Sequence, residues 1–462
     1  MAGVALAARP GAAPSGPPGS GLLPLLRVAL PLVVSRAGLA AMIVTNGWMV
    51  ARHDVREVAL ASLAAGTFGR LTEVFGAAIL SALPLVAAAS DRGGARRGYW
   101  RRANLLALGL GIAGLAAAAG AGPVLQAAVD RPDLAEGAAA VVRAMALGLP
   151  AALAALASAM YLEGIGRSGV VAAWILAANA LNLLLNWLLI GGHAGFPAWG
   201  AYGSALATTL VRVALAAILL AAVLRVDGRE PPGAGRDRAG AGAQWRLALG
   251  TGGTIAAFHA SAVWLILFAG WLGPLALASF ASCWVLTMPA MLLAIGIGDA
   301  VGLRAAAEPC GSGRLRRDLA WLSAVLLPFS LALWAAPEGV ASLYTPEPAL
   351  RTVIAGLLPV GGTVLLLDGL SYGVGAALRA RGDVAGSTAV QLPVLAVTPL
   401  LAAAFAFPAG MGLNGVMLAI LATSALRLVL LAARLRRTER VGPAPGAAAM
   451  RAGPVPAGGG AR

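Results

Sequence analysis

The chain has 462 residues, of which 59% are hydrophobic and only 11% are charged, and its formal net charge is +15. A soluble domain carries roughly 25% charged residues to cover its surface, so this composition excludes a water-soluble globule. The apolar runs are long and continuous, without the alternation of a transmembrane β-strand. Together these features predict an all-α integral membrane protein.

The positive charge comes entirely from arginine, because the sequence contains no lysine. The arginines lie mostly between the apolar runs, so we do not expect nucleic-acid binding. Without lysine the chain cannot form a GxxxxGK[ST] phosphate-binding loop, which excludes ATP hydrolysis by that route. Cys283 and Cys310 are too few for a disulfide framework or a zinc site. We therefore expect no enzyme and no cofactor, and transport energy that comes from an ion gradient or a partner.

The apolar runs predict about twelve transmembrane helices in two six-helix bundles. The first run is too long for a signal-peptide core and spans the membrane on its own. Composition predicts disordered tails at 1–21 and 438–462 and a cytoplasmic linker at 225–245. The predicted N-terminal bundle, 22–224, holds spans at 22–50, 57–89, 103–127, 137–162, 168–191 and 199–224. The predicted C-terminal bundle, 246–437, holds spans at 246–272, 274–303, 318–343, 349–378, 386–407 and 411–435.

The arginines also predict the orientation of the spans, because loops rich in Arg stay in the cytoplasm. The loops after even-numbered spans are rich in arginine, whereas those after odd-numbered spans hold few, mostly beside acidic residues. This alternation predicts that both termini and the linker lie in the cytoplasm. The loops after even-numbered spans hold Arg92, Arg96, Arg97, Arg101, Arg102, Arg167, Arg225, Arg229, Arg236, Arg238, Arg314, Arg316, Arg317, Arg379 and Arg381. The loops after odd-numbered spans hold Arg52, Arg56, Arg131 and Arg351.

The two halves of the chain repeat short motifs. Ala59–Ser62 in the second span recurs as Ala276–Ser279 in the eighth. Phe196–Ala198 before the sixth span recurs as Phe407–Ala409 before the twelfth. Each pair is six spans apart, which predicts a parallel repeat. Transporters built from such repeats place the substrate between the halves near the middle of the membrane.

Three stretches carry a family resemblance. Leu181–Trp187 followed by Gly195–Thr208 resembles the fifth-to-sixth-helix signature of the multidrug and toxic compound extrusion (MATE) transporters. In the tenth span, Asp368 followed by Ala376–Asp383 resembles the Asp…LRG-x-x-D pattern of that family, and Ala41–Met49 lines up with its first helix. The resemblance covers about residues 22–436 and is nearest to the bacterial NorM-like branch.

The resemblance implies a V-shaped antiporter that exports amphipathic organic cations in exchange for H⁺ or Na⁺ by alternating access. It also implies a multi-pass protein of the bacterial inner membrane. The expected oligomeric state is a monomer, and the expected partners are a small-molecule substrate and the lipid bilayer. The alternative is a relative in the same wider superfamily that flips or exports a lipid-linked or anionic substrate, an alternative suggested by Arg36 and Arg70. A third is a non-transporting membrane protein that binds a partner.

An ionisable side chain inside a membrane span is costly and therefore a functional candidate. Asp368 lies deep in the tenth span, where a carboxyl group can take up and release a proton. The resemblance implies that this position couples the ion gradient to transport, with Na⁺ near Asp368 as an option. A structural carboxyl bonded to Ser371 or Tyr372 is the alternative. The candidates in the spans are Arg36, Arg70, Glu73, His259, Asp299 and Asp368.

His259 occupies the place in the seventh span where NorM-like members carry a glutamate. It could shuttle a proton but could not supply an anionic ligand to Na⁺, and packing against a backbone carbonyl is its structural alternative. Asn46 stands where the family's first-helix aspartate is expected. With Asn182 and Asn186, one helical turn apart, Asn46 predicts a neutral cluster that lines the substrate cavity or holds helices together.

Arg70 and Glu73 are three residues apart, and this spacing predicts an ion pair on one helix face, with Arg36 joining it. Such a pair is structural, or Glu73 has taken over the coupling role of the missing aspartate. Asp299, five residues before Arg304, is predicted to be a paired or solvated residue at a helix end. We therefore assign ion coupling to Asp368, His259 and Glu73, and the polar groups of the cavity to Asn46, Asn182, Asn186, Arg36 and Arg70.

Overall fold

The computed structural model describes residues 22–80, 82–89, 93–128, 132–227, 238–307, 312–345 and 347–441. The predicted tail at 1–21, residues 442–462 of the tail predicted at 438–462, and the centre of the linker lie outside these ranges. Within them every regular element is helical, and twelve helical segments are long and apolar enough to cross a membrane. The prediction of an all-α membrane protein is confirmed.

The helices follow the predicted spans, here numbered 1 to 12. Span 1 is Leu22–Ala51; span 2 is Val55–Ala64, Arg70–Leu80 and Ala82–Ala88, with a π-helix at Ala65–Gly69; span 3 is Gly93–Ala119; span 4 is Pro132–Leu147 and Leu149–Gly164; span 5 is Ser168–Gly191; and span 6 is Gly200–Asp227. Spans 7 to 12 are Arg238–Trp271, Pro274–Ala307, Ser312–Ala335, Pro348–Ala380, Val384–Ala406 and Gly412–Val441. The short helices Ala121–Ala128 and Pro337–Tyr344 follow spans 3 and 9.

Several helix ends differ from the predicted boundaries: span 3 begins at Gly93 rather than 103, and span 7 begins at Arg238, inside the predicted linker. Span 9 ends at Ala335 rather than continuing to 343, because Pro337 disfavours a helical conformation at Ala336, which has φ −133° and ψ 50°. Span 12 continues to Val441, into the predicted C-terminal tail. Glu439, near this end, lies 3.6 Å from Arg381, so ionic contacts hold the last turn.

The spans form two halves, each with its own core. Spans 1 to 6 bury one large apolar cluster, in which Leu149, Met160 and Tyr161 are fully buried. Spans 7 to 12 bury a second, built around residues such as Ile354 and Leu358. This arrangement of two six-helix bundles is the predicted one.

The two halves meet on one side of the membrane. Twelve spans put both described ends, Leu22 and Val441, on the same side, which we call the terminal face. Leu25, Ala29 and Leu32 of span 1 pack into an apolar cluster with residues of spans 8, 9, 10 and 12. On the side opposite the terminal face, Ile43 of span 1 is 71% exposed. The two halves are therefore packed against each other at the terminal face.

Gly296 of span 8 marks the closest approach of the halves. A Cβ atom built on Gly296 would lie 2.8 Å from the Cα atom of Val33 in span 1. Real Cβ atoms do not come this close to a backbone, so only glycine allows the two helices to pack here. The contact between spans 1 and 8 therefore requires a residue without a side chain at position 296.

Candidate functional site between the two halves

The first group of charged residues lies near mid-membrane, where span 2 meets span 7. The π-helix Ala65–Gly69, a distortion that is frequent at functional sites, leads directly into Arg70. The Nη1 atom of Arg70 lies 3.3 Å from Oε2 of Glu73, so the predicted pair forms. The same carboxylate lies 2.7 Å from Nε2 of His259 on span 7. Glu73 therefore links the two halves, and its side chain remains 49% exposed.

The second group is more deeply buried and lies nearer to the terminal face. Arg36 of span 1 does not join Arg70 and Glu73 as predicted; its Nη2 atom lies 3.2 Å from Glu163 of span 4 and 3.1 Å from Asp299 of span 8. The hydroxyl of Tyr372 on span 10 donates to Oδ1 of Asp299 over 2.9 Å. Arg36 reaches both acids because spans 1, 4 and 8 converge where the halves touch. We call these four residues the gate cluster.

The asparagine cluster lies in the N-terminal half. Asn186 donates to the Oδ1 atoms of Asn46 over 2.7 Å and of Asn182 over 3.0 Å. Asn46 in turn donates to the hydroxyl of Thr208 on span 6 over 2.9 Å. The structure thus joins the three predicted residues and adds a fourth. All four side chains are uncharged at every physiological pH, so this cluster has no group that could take up a proton.

Asp368 forms an ion pair with Arg427 of span 12. The predicted structural partners are wrong: Tyr372 bonds Asp299 instead, and Oγ of Ser371 is buried without a partner. The described residues contain no group of three His, Cys, Asp or Glu side chains that could hold a metal ion. One carboxylate already bonded to a guanidinium does not fit a Na⁺ site, which requires several oxygen ligands.

We expect Arg427→Met to lower the free energy of unfolding by about 3–5 kcal/mol, because it leaves the carboxylate of Asp368 unpaired within the membrane. Adding Asp368→Asn removes that charge and is expected to restore most of the loss. The denaturation midpoints of the purified variants in detergent measure both effects. Arg143→Met is the matched control, because Arg143 donates only to the carbonyl of Ala139 in its own helix. A double variant no more stable than Arg427→Met alone would contradict the pairing.

The sequence did not identify two of these charged partners, Glu163 and Arg427, as candidate site residues, and the reasons differ. Glu163 lies one residue beyond the predicted end of span 4, whereas the helix continues to Gly164. Arg427 lies inside span 12 and was noted only as the counterpart of Arg212 in the repeat. A list of every arginine inside the predicted spans would have included Arg427 as a candidate. Arg212 itself donates to the carbonyl of Met145 over 3.5 Å, and among the described residues it forms no ion pair that would match the pair of Arg427.

Comparisons with known proteins agree with this architecture. Residues 254–407 match the MatE family model. A probable multidrug resistance protein NorM from Caulobacter vibrioides is 32% identical over 448 residues, which cover 92% of this chain and 93% of the relative. A protein of the same name from Deinococcus radiodurans is 29% identical, over 90% of this chain and 96% of the relative.

Solved structures share the fold at low sequence identity. A MATE crystal structure in the bent conformation aligns with a TM-score of 0.81 at 16% identity, over 90% of this chain and 95% of that one. A multidrug resistance MATE transporter in an outward-facing conformation aligns at 0.79 and 16% identity, with the same coverage. A MOP superfamily transporter from Pyrococcus furiosus aligns at 0.78 and 18% identity, again with the same coverage. Given these matches and a relative 32% identical over nearly its full length, the chain belongs to the MATE family and is a multi-pass membrane transporter, not an enzyme.

Proposed function

We propose that this transporter is a monomeric antiporter of the bacterial inner membrane that exports amphipathic organic cations in exchange for H⁺. Relatives named as probable multidrug resistance proteins support drug export. The positive-inside distribution of arginine supports a cytoplasmic terminal face. In that orientation the halves are in contact on the cytoplasmic side, and the Glu73 carboxylate between them is 49% exposed.

The observation that carries this proposal is the charge between the halves. The interface residues Arg36 and Arg70 supply two guanidinium groups against the three carboxylates of Glu73, Glu163 and Asp299. With these five groups ionised and His259 neutral, one negative charge is in excess among them, which favours a cationic substrate over an anionic one. The alternative of a lipid-linked or anionic substrate would need unpaired positive charge, whereas Arg36 and Arg70 are both paired.

H⁺ is favoured over Na⁺ as the coupling ion. The asparagine cluster offers no carboxylate, and Asp368 is already bonded to Arg427. Glu73 and His259 are the remaining titratable groups of the predicted coupling set, and they touch each other across the interface. A proton taken up by this pair would compete with a cationic substrate for the Glu73 carboxylate, which is the exchange that antiport requires. Asp368 then serves to hold spans 10 and 12 together.

We expect Glu73→Gln to reduce energy-dependent ethidium efflux by at least about tenfold, because the amide can neither attract the cation nor exchange a proton. Efflux would be measured in cells that lack their own drug pumps, with and without an uncoupler. Glu338→Gln is the matched control, since Glu338 is exposed in the short helix after span 9. A wild-type protein that is well expressed in the membrane but moves no cationic dye would overturn the proposal and favour an anionic substrate.

A further inference from the structure

Arg379 lies at the terminal end of span 10, one residue before the helix ends at Ala380. We propose that Arg379, Ser387 and Gly375 form a binding site for the phosphate group of an anionic phospholipid, whose hydrocarbon chain enters an apolar crevice between the halves. This site is separate from the exported substrate and the coupling ion of the proposed function. The charge of Arg379, the donors around Gly375 and the lining of the crevice support this occupant.

The charge of Arg379 is not balanced by an acid. Among the described residues its guanidinium forms no ion pair and no side-chain hydrogen bond, and it lies 5.9 Å from the centroid of the Tyr372 ring. Two acids of adjoining elements are already bonded. Asp383 accepts from Nε and Nη2 of Arg434 over 2.7 and 3.0 Å, and Asp299 is held within the gate cluster. A partly buried guanidinium without a counter-ion attracts an anion.

The space beside Gly375 is surrounded by polar side chains. A Cβ atom built on Gly375 would lie 3.2 Å from Nη1 of Arg379, 3.6 Å from Nε2 of Gln391 and 3.7 Å from Oγ of Ser387. Spans 10 and 11 therefore direct three polar atoms toward the position that a side chain at residue 375 would fill. Because residue 375 is glycine, a ligand atom can approach this position.

Gln391 orients the hydroxyl of Ser387 as a donor. Nε2 of Gln391 donates to Oγ of Ser387 over 2.9 Å and lies 3.4 Å from the carbonyl oxygen of the same residue. The hydroxyl oxygen is thus occupied as an acceptor, and its hydrogen has no acceptor among the described residues. A phosphate oxygen beside Gly375 would accept from this hydroxyl and from the guanidinium of Arg379. Such charge-assisted bonds are stronger than neutral ones.

A crevice between the halves leads to Arg379. Span 2 of the N-terminal half lines it on one side, and spans 7, 8 and 10 of the C-terminal half line it on the other. Most of its lining is hydrocarbon, with Thr251, Asp299, Tyr372 and Arg379 as the polar side chains. The apolar lining residues are Leu80, Leu83, Pro84, Leu247, Leu303, Ala376 and Ala380.

The order of these groups along the membrane normal matches a phospholipid. Arg379 lies at the end of span 10, whereas Tyr372 lies seven residues deeper, which is about 10 Å along a helix. A phospholipid likewise places its phosphate at the membrane boundary and its chain deeper. A free phosphate ion would leave the apolar part of the crevice unused. Basic pockets between helices on the cytoplasmic side bind anionic headgroups, and the proposed orientation puts Arg379 on that side.

Native mass spectrometry of the detergent-purified full chain, titrated with phosphatidylglycerol, tests the site. We expect one saturable lipid in the wild type and binding weaker by at least about tenfold in Arg379→Gln. Gly375→Ala is expected to weaken binding as well, although it keeps every charge, because its methyl group occupies the position of the phosphate oxygen. Alanine favours a helix over glycine, so this variant should fold, and its denaturation midpoint without lipid checks that it does.

Arg317→Gln is the matched control, because Arg317 is an exposed arginine at the terminal end of span 9 that donates to the carbonyl of Gly313 in its own helix. It removes the same charge from the same face and should leave lipid binding unchanged. Phosphatidylcholine and inorganic phosphate identify the ligand. Equal binding of phosphatidylcholine, an equal loss in Arg317→Gln, or binding of inorganic phosphate without binding of phosphatidylglycerol would overturn the proposal. Lipid binding is measured without transport, so failure of the proposed function would be seen separately.

Discussion

Gly296→Val is expected to open the terminal face and to abolish export. The new side chain would meet Val33 of span 1 at 2.5 to 3.0 Å, and two of the three nearest atoms belong to the backbone. Overpacking of this kind costs about 1–3 kcal/mol in a core. Because Gly296 and Val33 belong to different halves, the halves can relieve the clash by separating. A cost of that size shifts a two-state equilibrium by about 5–150-fold.

The distance between spin labels at Arg167→Cys and Arg317→Cys, on the terminal ends of the two halves and with Cys283 and Cys310 replaced by serine, measures the opening caused by Gly296→Val. Dye efflux measures its consequence. Gly253→Val is the matched control, since a Cβ atom at Gly253 of span 7 would meet nothing within 4 Å. The control is expected to keep both the closed distance and the wild-type efflux rate. If Gly296→Val transported normally with an unchanged distance, the contact between spans 1 and 8 could not be the closure of the terminal face.

Arg36→Met is expected to lower stability by about 3–5 kcal/mol, the cost of leaving a buried carboxylate without its partner. It removes the charge that balances Asp299 and a hydrogen-bond donor to Glu163. The same substitution breaks the ionic link between the halves, so the distance between their terminal ends should also lengthen. Thermal inactivation of the detergent-purified protein measures the first effect.

Arg304→Met separates these two consequences of Arg36→Met. Arg304 is a buried arginine paired with a buried carboxylate, Asp318, but both belong to the C-terminal half. We expect Arg304→Met to lower stability by a similar amount while the distance between the terminal ends of the halves keeps its wild-type value. If both variants lengthened this distance equally, the effect of Arg36 would be general destabilisation and not control of the interface.

The fold could be predicted from sequence because its causes are local. Each span can be predicted from a run of apolar residues long enough to cross the membrane. The alternation of arginine-rich and arginine-poor loops between the runs supports the predicted number of spans. The asparagine cluster could also be predicted from sequence, since Asn182 and Asn186 are one helical turn apart on the same helix face. Their contact with Asn46 needed only the packing of spans 1 and 5 within one half.

The gate cluster could not be predicted in the same way. Arg36 lies 127 residues from Glu163 and 263 residues from Asp299 along the chain, and no spacing rule relates positions so far apart. Its contact with Asp299 also depends on how the two halves are arranged, which is a property of the conformation. The short spacing of Arg70 and Glu73 suggested Arg36 as a third member, but the fold places Arg36 closer to the terminal face. His259 was expected near the coupling site, but its contact with Glu73 across the interface required the structure.

The neutrality of the asparagine cluster determines how the membrane potential can act on this protein. A potential of 100 mV does about 2.3 kcal/mol of work on each elementary charge that crosses the whole membrane. Asn46, Asn182, Asn186 and Thr208 carry no charge, so the electric field does no work on this cluster when it moves. Voltage dependence of the transport cycle would arise from charged groups elsewhere, such as those between the halves, and its steepness would report how far through the membrane those charges travel.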